Sequence, residues 1–299
     1  SGFFWKLFVF CVMSGRGRRP GDLSGVMMLL FHMQQLGFSK IPPVTLVTVA
    51  VQAFLHMGVI SPPWSKADVA ISYHAVVHKH DYRTLFFSSF EHGDDIHLYY
   101  NMLSFIMKGI YLENLFGSLK FAAIILTFPV YTNAMYISLA KIGSDIMQDG
   151  YLLYQQAIGF SAVIFALKVL ATHFNDPERE NNVMGIPMPS KYVVWFELVL
   201  IHVMVPNASF VGHLAGIIVG ILFVNTPMNT IYDGIFGMPR DSGMTSPRTS
   251  WSAPSFRSNS NRDYEYEEAV RRSQESFRNE RRRAPFYQPS APPYHSFYN

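Results

Sequence analysis

The sequence predicts an all-α, polytopic membrane protein. Of its 299 residues, 49% are hydrophobic and only 15% are charged, whereas soluble domains carry about 25% charged residues. The charges are also unevenly distributed, because 10 of the 24 Lys and Arg and 8 of the 21 Asp and Glu lie in residues 226–299. The first 225 residues therefore hold 27 charges, or 12%, and apolar stretches separate them.

Residues 1–40 are expected to form a cytoplasmic or interfacial segment. Residues 1–12 lack an initiator methionine and are too short an apolar run to cross a bilayer. We expect the natural start at Met13 and residues 1–12 to be an artefact, and the alternative is a genuine but partial N-terminal segment. The apolar stretch 23–38 is interpreted as an extension of the first span. Three arginines precede it and, by the positive-inside rule, place the N-terminus in the cytoplasm: Arg16, Arg18 and Arg19.

Six apolar segments follow, each close to the roughly 20 residues that a bilayer requires. Pro43 opens the first, since Pro is favoured in the first helical turn, and Asp94 or Asp95 caps the second. The polar residues 61–93 predict a long loop between these two. Only helices of this composition satisfy their backbone in lipid, so we expect a six-helix bundle over residues 41–225 with both termini cytoplasmic. The segments are 44–59, 96–115, 119–140, 156–173, 191–206 and 208–225.

Residues 226–299 are rich in Ser, Pro, Arg, Asn and Tyr. Such a composition buries too little apolar surface to fold alone and predicts a disordered cytoplasmic tail. Residues 263–277 have acidic residues early and arginines late, a distribution that matches the helix macrodipole and predicts a short helix.

The whole-chain composition argues against several classes of partner and cofactor. The single cysteine, Cys11, excludes an internal disulfide framework and a cysteine-rich zinc site. A net charge of +3 does not indicate nucleic-acid binding. We expect no metal and no organic cofactor, and the lipid bilayer is the expected environment.

Polar residues in membrane helices are costly, so each is a functional hypothesis. With a cytoplasmic N-terminus, spans two, four and six all enter from the luminal face, and each has polar residues in its first turns. These are His97 and Asn101, which share a helix face at i,i+4, Ser161, and His213. The count of crossings therefore places four polar side chains at a similar depth below one face.

Small residues predict close packing of spans four and six. Gly159 lies two residues before Ser161, and span six carries a repeated small-residue face formed by Gly212, Gly216 and Gly220. A small-residue face is usually plain packing, without any catalytic meaning.

Close pairing of these spans would bring Ser161 to His213, and a serine nucleophile needs such a neighbouring base. His97 and Asn101 would then donate hydrogen bonds to the oxyanion. The alternatives are a serine that bonds a backbone carbonyl and a histidine that is structural or lines a pore.

A Ser161–Lys168 dyad is a further rival, but seven helical residues separate the two by about 10 Å. Lys168, Lys108 and Glu197 are instead expected to pair or snorkel.

The combined pattern resembles the rhomboid intramembrane serine proteases. It consists of Gly159-Phe160-Ser161, His213 with Gly216 and Gly220, and His97 with Asn101, supported by Tyr82-Arg83 and by Glu113 before Gly117-Ser118. The resemblance covers roughly residues 40–225. It implies a Ser161–His213 dyad that cleaves membrane proteins in or beside a transmembrane segment, with Phe165 packed on the His213 ring.

The resemblance extends to an endoplasmic-reticulum branch of the family that acts in degradation of unstable membrane proteins and carries a ubiquitin-interacting motif in its tail. Tyr266, Ala269 and Ser273 fit that motif's spacing, although Tyr replaces the usual Leu. A solvated, charged tail helix is the alternative. The cluster Arg281-Arg282-Arg283 is a weak echo of the branch's binding motif for an AAA-type unfoldase, and an ordinary basic cluster is the favoured interpretation.

Two positions depart from the family pattern. Ala162 replaces the Gly that usually follows the nucleophile, and Tyr82 replaces a Trp. Neither removes a catalytic group, so we expect an active enzyme. The alternatives are an inactive rhomboid-like adaptor that binds or dislocates clients, which only Ala162 supports, and a six-span transporter or channel, for which we find no internal repeat or ion pathway.

Overall fold

The structure is a computed structural model that describes residues 23–175, 178, 180–183, 186–205 and 208–237. The chain divides into two units, residues 1–243 and 244–299, and every described residue belongs to the first. The expectations for residues 1–12 and for the tail helix at 263–277 therefore lie outside the described residues. The prediction that the disordered tail starts at residue 226 is wrong for its first residues, because Met228–Phe236 form a helix that bonds Lys120 and Thr127.

The described part is mostly helical. It also contains a 3₁₀ turn at Phe38–Lys40, a π-helical turn at His74–His78 and one antiparallel hairpin, β1 Glu180–Val183 with β2 Ile186–Pro189, which the all-α prediction missed. The α-helices, numbered in chain order, are α1 Ser24–Leu36, α2 Pro43–His56, α3 Lys66–Val69, α4 Thr84–Phe87, α5 Asp95–Phe116, α6 Ser118–Met147, α7 Tyr151–Tyr154, α8 Ser161–Asn175, α9 Ser190–Met204, α10 Phe210–Asn225 and α11 Met228–Phe236.

Helices occupy all six predicted apolar segments, as α2, α5, α6, α8, α9 and α10. Among the described residues, α6 alone is a single helix long and apolar enough to cross a membrane, and α10 with α11 passes the same test as a pair bent by 70°. Helices α2 and α8 are apolar but shorter.

The apolar stretch 23–38 does not extend the first span, because it forms the separate helix α1. Gly37 has a φ of 83°, and the turn Phe38–Lys40 reverses the chain into α2. Asp95, at the start of α5, accepts hydrogen bonds from the backbone N–H groups of Gly25 and Val26. Helix α1 thus begins beside the start of α5 and runs opposite to α2. The six-span prediction counted the stretch 23–38 with the first span, whereas the structure divides these residues into α1 and α2.

The region 61–93 is not a featureless loop. It contains α3, the π-helical turn and α4, and it is tied to the bundle by side chains. Ser65 and Asp68 form a reciprocal capping box on α3, a pattern that satisfies two backbone donors at a helix start. Short polar helices of this kind have too little apolar periodicity to be read from the sequence.

Helix α5 lies at the centre of the bundle. Its side chains Leu98, Met102, Phe105 and Ile106 are fully buried. They belong to a core cluster that also includes apolar residues of α1, α2, α6 and α8. This central position explains why polar groups on α5 can reach several neighbouring helices.

Glu113, in the last turn of α5, caps the start of α2. One carboxylate oxygen accepts hydrogen bonds from the Val44 N–H and the Ser118 hydroxyl, and the other accepts from the Thr45 N–H and hydroxyl, all at 2.8–2.9 Å. The carboxylate is buried. It sits where backbone donors are otherwise unpaired and where the helix macrodipole favours a negative charge. Glu113 therefore joins three helices at one end of the bundle.

We predict that Glu113→Gln destabilises the protein by about 1–3 kcal/mol, because the amide has one acceptor oxygen for the four donors that the carboxylate serves. The measurement is thermal unfolding in detergent. Asp145→Asn is the control, since Asp145 forms an exposed i,i+4 pair with Lys141 and such pairs contribute little. Equal melting temperatures for the two variants would contradict the capping role.

Candidate active site

The site begins at the N-terminal turn of α5. The Asp94 carboxylate accepts a hydrogen bond from the His97 N–H at 2.7 Å, so Asp94 is the cap and Asp95 docks α1 instead. This cap fixes the first turn of α5, from which His97 and Asn101 project on one face.

Helices α8 and α10 pack with their backbones in contact. A side chain at Gly216 would overlap the backbone of Ala162, and one at Gly220 would lie 2.8 Å from the Ala166 carbonyl oxygen. Small residues at these two positions allow this close approach. Gly212 does not take part, because the nearest group to it is the side chain of Ser209, whose hydroxyl accepts the Gly212 N–H at 3.1 Å.

The close packing brings Ser161 to His213. Ser161 is the first residue of α8 and His213 lies in the first turn of α10. The Ser161 Oγ and the His213 Nε2 are 2.9 Å apart, within hydrogen-bond distance. The other ring nitrogen, His213 Nδ1, is buried without a hydrogen-bond partner among the described residues. The arrangement is therefore a pair and not a triad with a carboxylate.

Ser138 shows the ordinary behaviour of a serine in a membrane helix. Its hydroxyl donates to the Ala134 carbonyl one turn earlier, at 3.0 Å. Ser161 begins its helix and bonds the histidine instead, so it has the geometry of an activated hydroxyl.

Aromatic stacking holds the His213 ring. The Phe165 ring, one turn after Ser161, stacks on it with centroids 4.7 Å apart. Lys168 Nζ lies 4.6 Å from the centroid of the Phe165 ring and forms the expected ion pair with Glu197. Lys168 is thus engaged elsewhere and does not compete with His213 as the partner of Ser161.

Gly159 allows the chain to approach His97. Its φ is 121°, and a side chain there would lie 2.7 Å from His97 Cε1. Gly159 therefore serves this approach and a backbone conformation that glycine tolerates, and the helix-packing role that the sequence suggested belongs to Gly216 and Gly220. Asn101 donates its amide to the His97 carbonyl at 2.9 Å.

A chain of polar contacts from α6 supports this segment. The Asn133 amide donates to the Leu85 carbonyl at 2.8 Å and to the hydroxyls of Ser88 and Ser89 at 2.9 and 3.1 Å. The Ser88 carbonyl then accepts the Gly159 N–H at 2.9 Å. Sequence reasoning missed Asn133, although an amide in the middle of an apolar helix is a signal of this kind.

His92 is a second residue that sequence reasoning missed. It is completely buried, its ring meets the His97 ring edge to face at 5.1 Å, and its Nε2 faces the Phe160 N–H at 3.5 Å. Burial lowers the pKa of His92 well below its ordinary value, and nearby positive groups lower it further. The ring is therefore neutral at physiological pH and packs under the segment that leads to Ser161. Nothing in the sequence separates it from the other loop histidines.

The other predicted residues lie elsewhere. Tyr82 and Arg83 are exposed on the 61–93 region, where the Arg83 guanidinium binds both oxygens of Asp81 and lowers the pKa of that carboxyl. The predicted ubiquitin-binding residues Tyr266, Ala269 and Ser273 lie outside the described residues. No cluster of three or more His, Cys, Asp or Glu that could hold a metal occurs in the described ranges.

Comparisons with known proteins show which family the chain resembles. A model of the rhomboid domain matches residues 79–228, a range that contains His97, Ser161 and His213. The chain is 38% identical over 222 residues to mouse (Mus musculus) rhomboid-related protein 4, covering 74% of this chain and 69% of that protein. It is 37% identical over 220 residues to the Homo sapiens protein of that name, with the same coverage. It is also 35% identical over 217 residues to Arabidopsis thaliana rhomboid-like protein 14, mitochondrial, covering 70% of this chain and 64% of that protein.

We predict that Gly216→Ala destabilises the protein by about 1–3 kcal/mol, because the added methyl group forces α8 and α10 apart. Gly212→Ala is the matched control on the same helix, where the methyl group meets only the movable Ser209 side chain. Thermal unfolding of both variants measures the difference. A Gly216→Ala protein as stable as Gly212→Ala would contradict the backbone contact.

Proposed function

The chain belongs to the rhomboid family, and from this premise we propose that it is an intramembrane serine endopeptidase with a Ser161–His213 dyad. Family membership makes it an integral membrane protein. The observation that carries the proposal is the 2.9 Å contact between the Ser161 hydroxyl and the His213 ring at the paired starts of α8 and α10. We further propose that α2, α5, α6, α8, α9 and α10 are the six crossings.

The mechanism uses His213 Nε2 as the general base. It accepts the proton of Ser161 as the hydroxyl oxygen attacks the carbonyl carbon of a peptide bond, and it then gives that proton to the leaving amine. Water then attacks the resulting acyl-enzyme. His213 accepts a proton from the water and returns it to the Ser161 oxygen as the acyl bond breaks. Stacking on Phe165 holds the imidazole in place through both steps.

The oxyanion of the tetrahedral intermediate forms beside Ser161. The N-terminus of α8 contributes unpaired backbone N–H groups and the positive end of its macrodipole. His97 lies against Gly159, two residues before the nucleophile, and Asn101 lies one turn further along the same face of α5. In this role the Asn101 amide gives up its hydrogen bond to the His97 carbonyl and donates to the oxyanion instead.

The substrates are single-span or polytopic membrane proteins cleaved in or beside a transmembrane segment. We place the enzyme in the endoplasmic reticulum, with the Ser161 end luminal, the C-terminus cytoplasmic and a role in quality control. The support is the similarity to rhomboid-related protein 4 and the sequence resemblance. The mitochondrial name of the Arabidopsis relative is the reason to test this by fractionation. Ubiquitin recognition by Tyr266, Ala269 and Ser273, and unfoldase binding, are proposed on the resemblance alone.

An inactive adaptor that binds or dislocates membrane clients is the second candidate. Its support is Ala162, whose extra methyl group lies next to the nucleophile. That methyl group is buried, and the close contact with Gly216 is made by the Ala162 backbone, so the position does not prevent the dyad from forming.

We predict that a fluorophosphonate probe labels the purified protein and that Ser161→Ala abolishes labelling, because the probe reacts with activated serines. Ser138→Ala is the matched control, since that hydroxyl bonds only its own helix, and it should keep full labelling. A parent protein that remains unlabelled, although folded, would favour the adaptor.

We also predict that Ser161→Ala, His213→Ala and the double variant all reduce cleavage of a single-span substrate in liposomes to the same background. Residues that act as one unit have non-additive effects. Cleavage fragments on a gel give the measurement. Full cleavage by either single variant would refute the dyad.

His97→Ala is expected to lower kcat by about 10²–10³-fold, the usual cost of one oxyanion donor, while fluorophosphonate labelling slows without disappearing. Single-turnover cleavage measures the rate, and thermal unfolding checks that the fold is kept. An unchanged kcat would remove His97 from the oxyanion site.

A further inference from the structure

Helix α11 follows α10 at the end of the bundle opposite Ser161. Only Thr226 and Pro227 separate it from α10, and the two helices meet at 70°. Pro227 cannot donate the hydrogen bond that would continue α10, and the Thr226 hydroxyl bonds the Leu222 carbonyl at 2.7 Å. The chain therefore turns sideways where a membrane helix ends.

One face of α11 is fixed to the bundle. Lys120 Nζ, whose side chain is only 4% exposed, donates to Asn229 Oδ1 and Asp233 Oδ1, each at 2.7 Å. The Tyr232 hydroxyl bonds the Thr127 hydroxyl at 2.5 Å. These bonds hold the helix against α6 in one orientation.

The two anchor points define the depth of α11. Lys120 and Thr127 are seven residues apart in α6, which corresponds to about 10 Å along the helix axis. The Phe223 ring, near the last residue of α10, lies 5.3 Å from the ring of Phe128, which is well inside α6. Helix α6 therefore extends beyond the end of α10 on this side. Helix α11 thus lies alongside the first turns of the longest apolar helix, and not beyond its end.

The outward flank of α11 is apolar. Ile231 and Ile235 are 54% and 66% exposed and share one face at i,i+4. Thr230 and Gly234 are exposed too, and Thr230 lies at least 100° around the helix from either isoleucine. On the neighbouring helices α6 and α10, Leu119, Leu126 and Leu222 are also exposed.

We propose that the Ile231–Ile235 flank is embedded in the lipid at the boundary between headgroups and acyl chains, which makes α11 a membrane-surface helix. Amphipathic helices of this kind insert their apolar face by about 5–10 Å, and the anchors on α6 hold α11 at such a depth. Two isoleucine side chains fall far short of the roughly 800 Å² per partner that a stable protein interface buries. Gly237, the residue after α11, therefore lies at the lipid surface.

The test is nitroxide accessibility in liposomes of phosphatidylcholine and phosphatidylethanolamine. The Cys11→Ser protein has no other cysteine, so single labels can be placed with Ile231→Cys, Ile235→Cys, Thr230→Cys and, as the lipid-facing reference, Leu126→Cys. Labels at 231 and 235 should collide mainly with oxygen, as at 126, whereas the label at 230 should collide mainly with a water-soluble nickel chelate.

Three results would overturn the proposal. They are nickel accessibility at 231 and 235 equal to that at 230, exclusion of both reagents, which means that protein covers the flank, and spin–spin broadening removed by unlabelled protein, which means a second copy. None of these readouts depends on proteolysis, so failure here and failure of the dyad are distinguishable.

Discussion

Helix caps supplied by side chains of another helix are the interaction on which this fold depends. Helix α5 carries a buried carboxylate in its first turn and another in its last turn, and each accepts the unpaired N–H groups of a neighbouring helix. The bilayer core contains no water that could replace such bonds, so the N-termini of α1 and α2 depend on α5. Because α5 also carries His97 and Asn101, the same contacts fix the part of the site that faces Ser161.

The site combines two closely packed helices, α8 and α10, with a loop that holds the segment before Ser161. The contact of Gly216 with the α8 backbone sets the spacing of Ser161 and His213, and backbone contacts of this kind allow little movement. The segment before Ser161 is instead held by the loop carbonyl of Ser88, which Asn133 orients in turn. The loop therefore holds Gly159, whereas the spacing of Ser161 and His213 depends on the contact between α8 and α10.

Much of the site followed from the sequence because lipid makes polar residues expensive. The parity of the predicted crossings put Ser161 and His213 at the same end, and the structure has them in contact. Charges are costly in lipid, which predicted the ion pair between Lys168 and Glu197. What the sequence could not predict depends on long-range contacts. Nothing local distinguishes buried His92 from the exposed histidines of the same loop, His78 and His80. The reversal between α1 and α2 depends on Asp95, about 70 residues away from its partners in α1.

The spacing of the two capping carboxylates has a consequence for how the protein fits its membrane. Asp95 and Glu113 are 18 residues apart, which is five full helical turns and about 27 Å, so both point from the same side of α5. The hydrocarbon layer of a typical bilayer is about 30 Å thick, so the distance between the two caps is close to the thickness of one such layer. Inserting one residue between the caps would rotate one of them by about 100° relative to the other and detach α1 or α2, so these two contacts require both carboxylates on one side of α5.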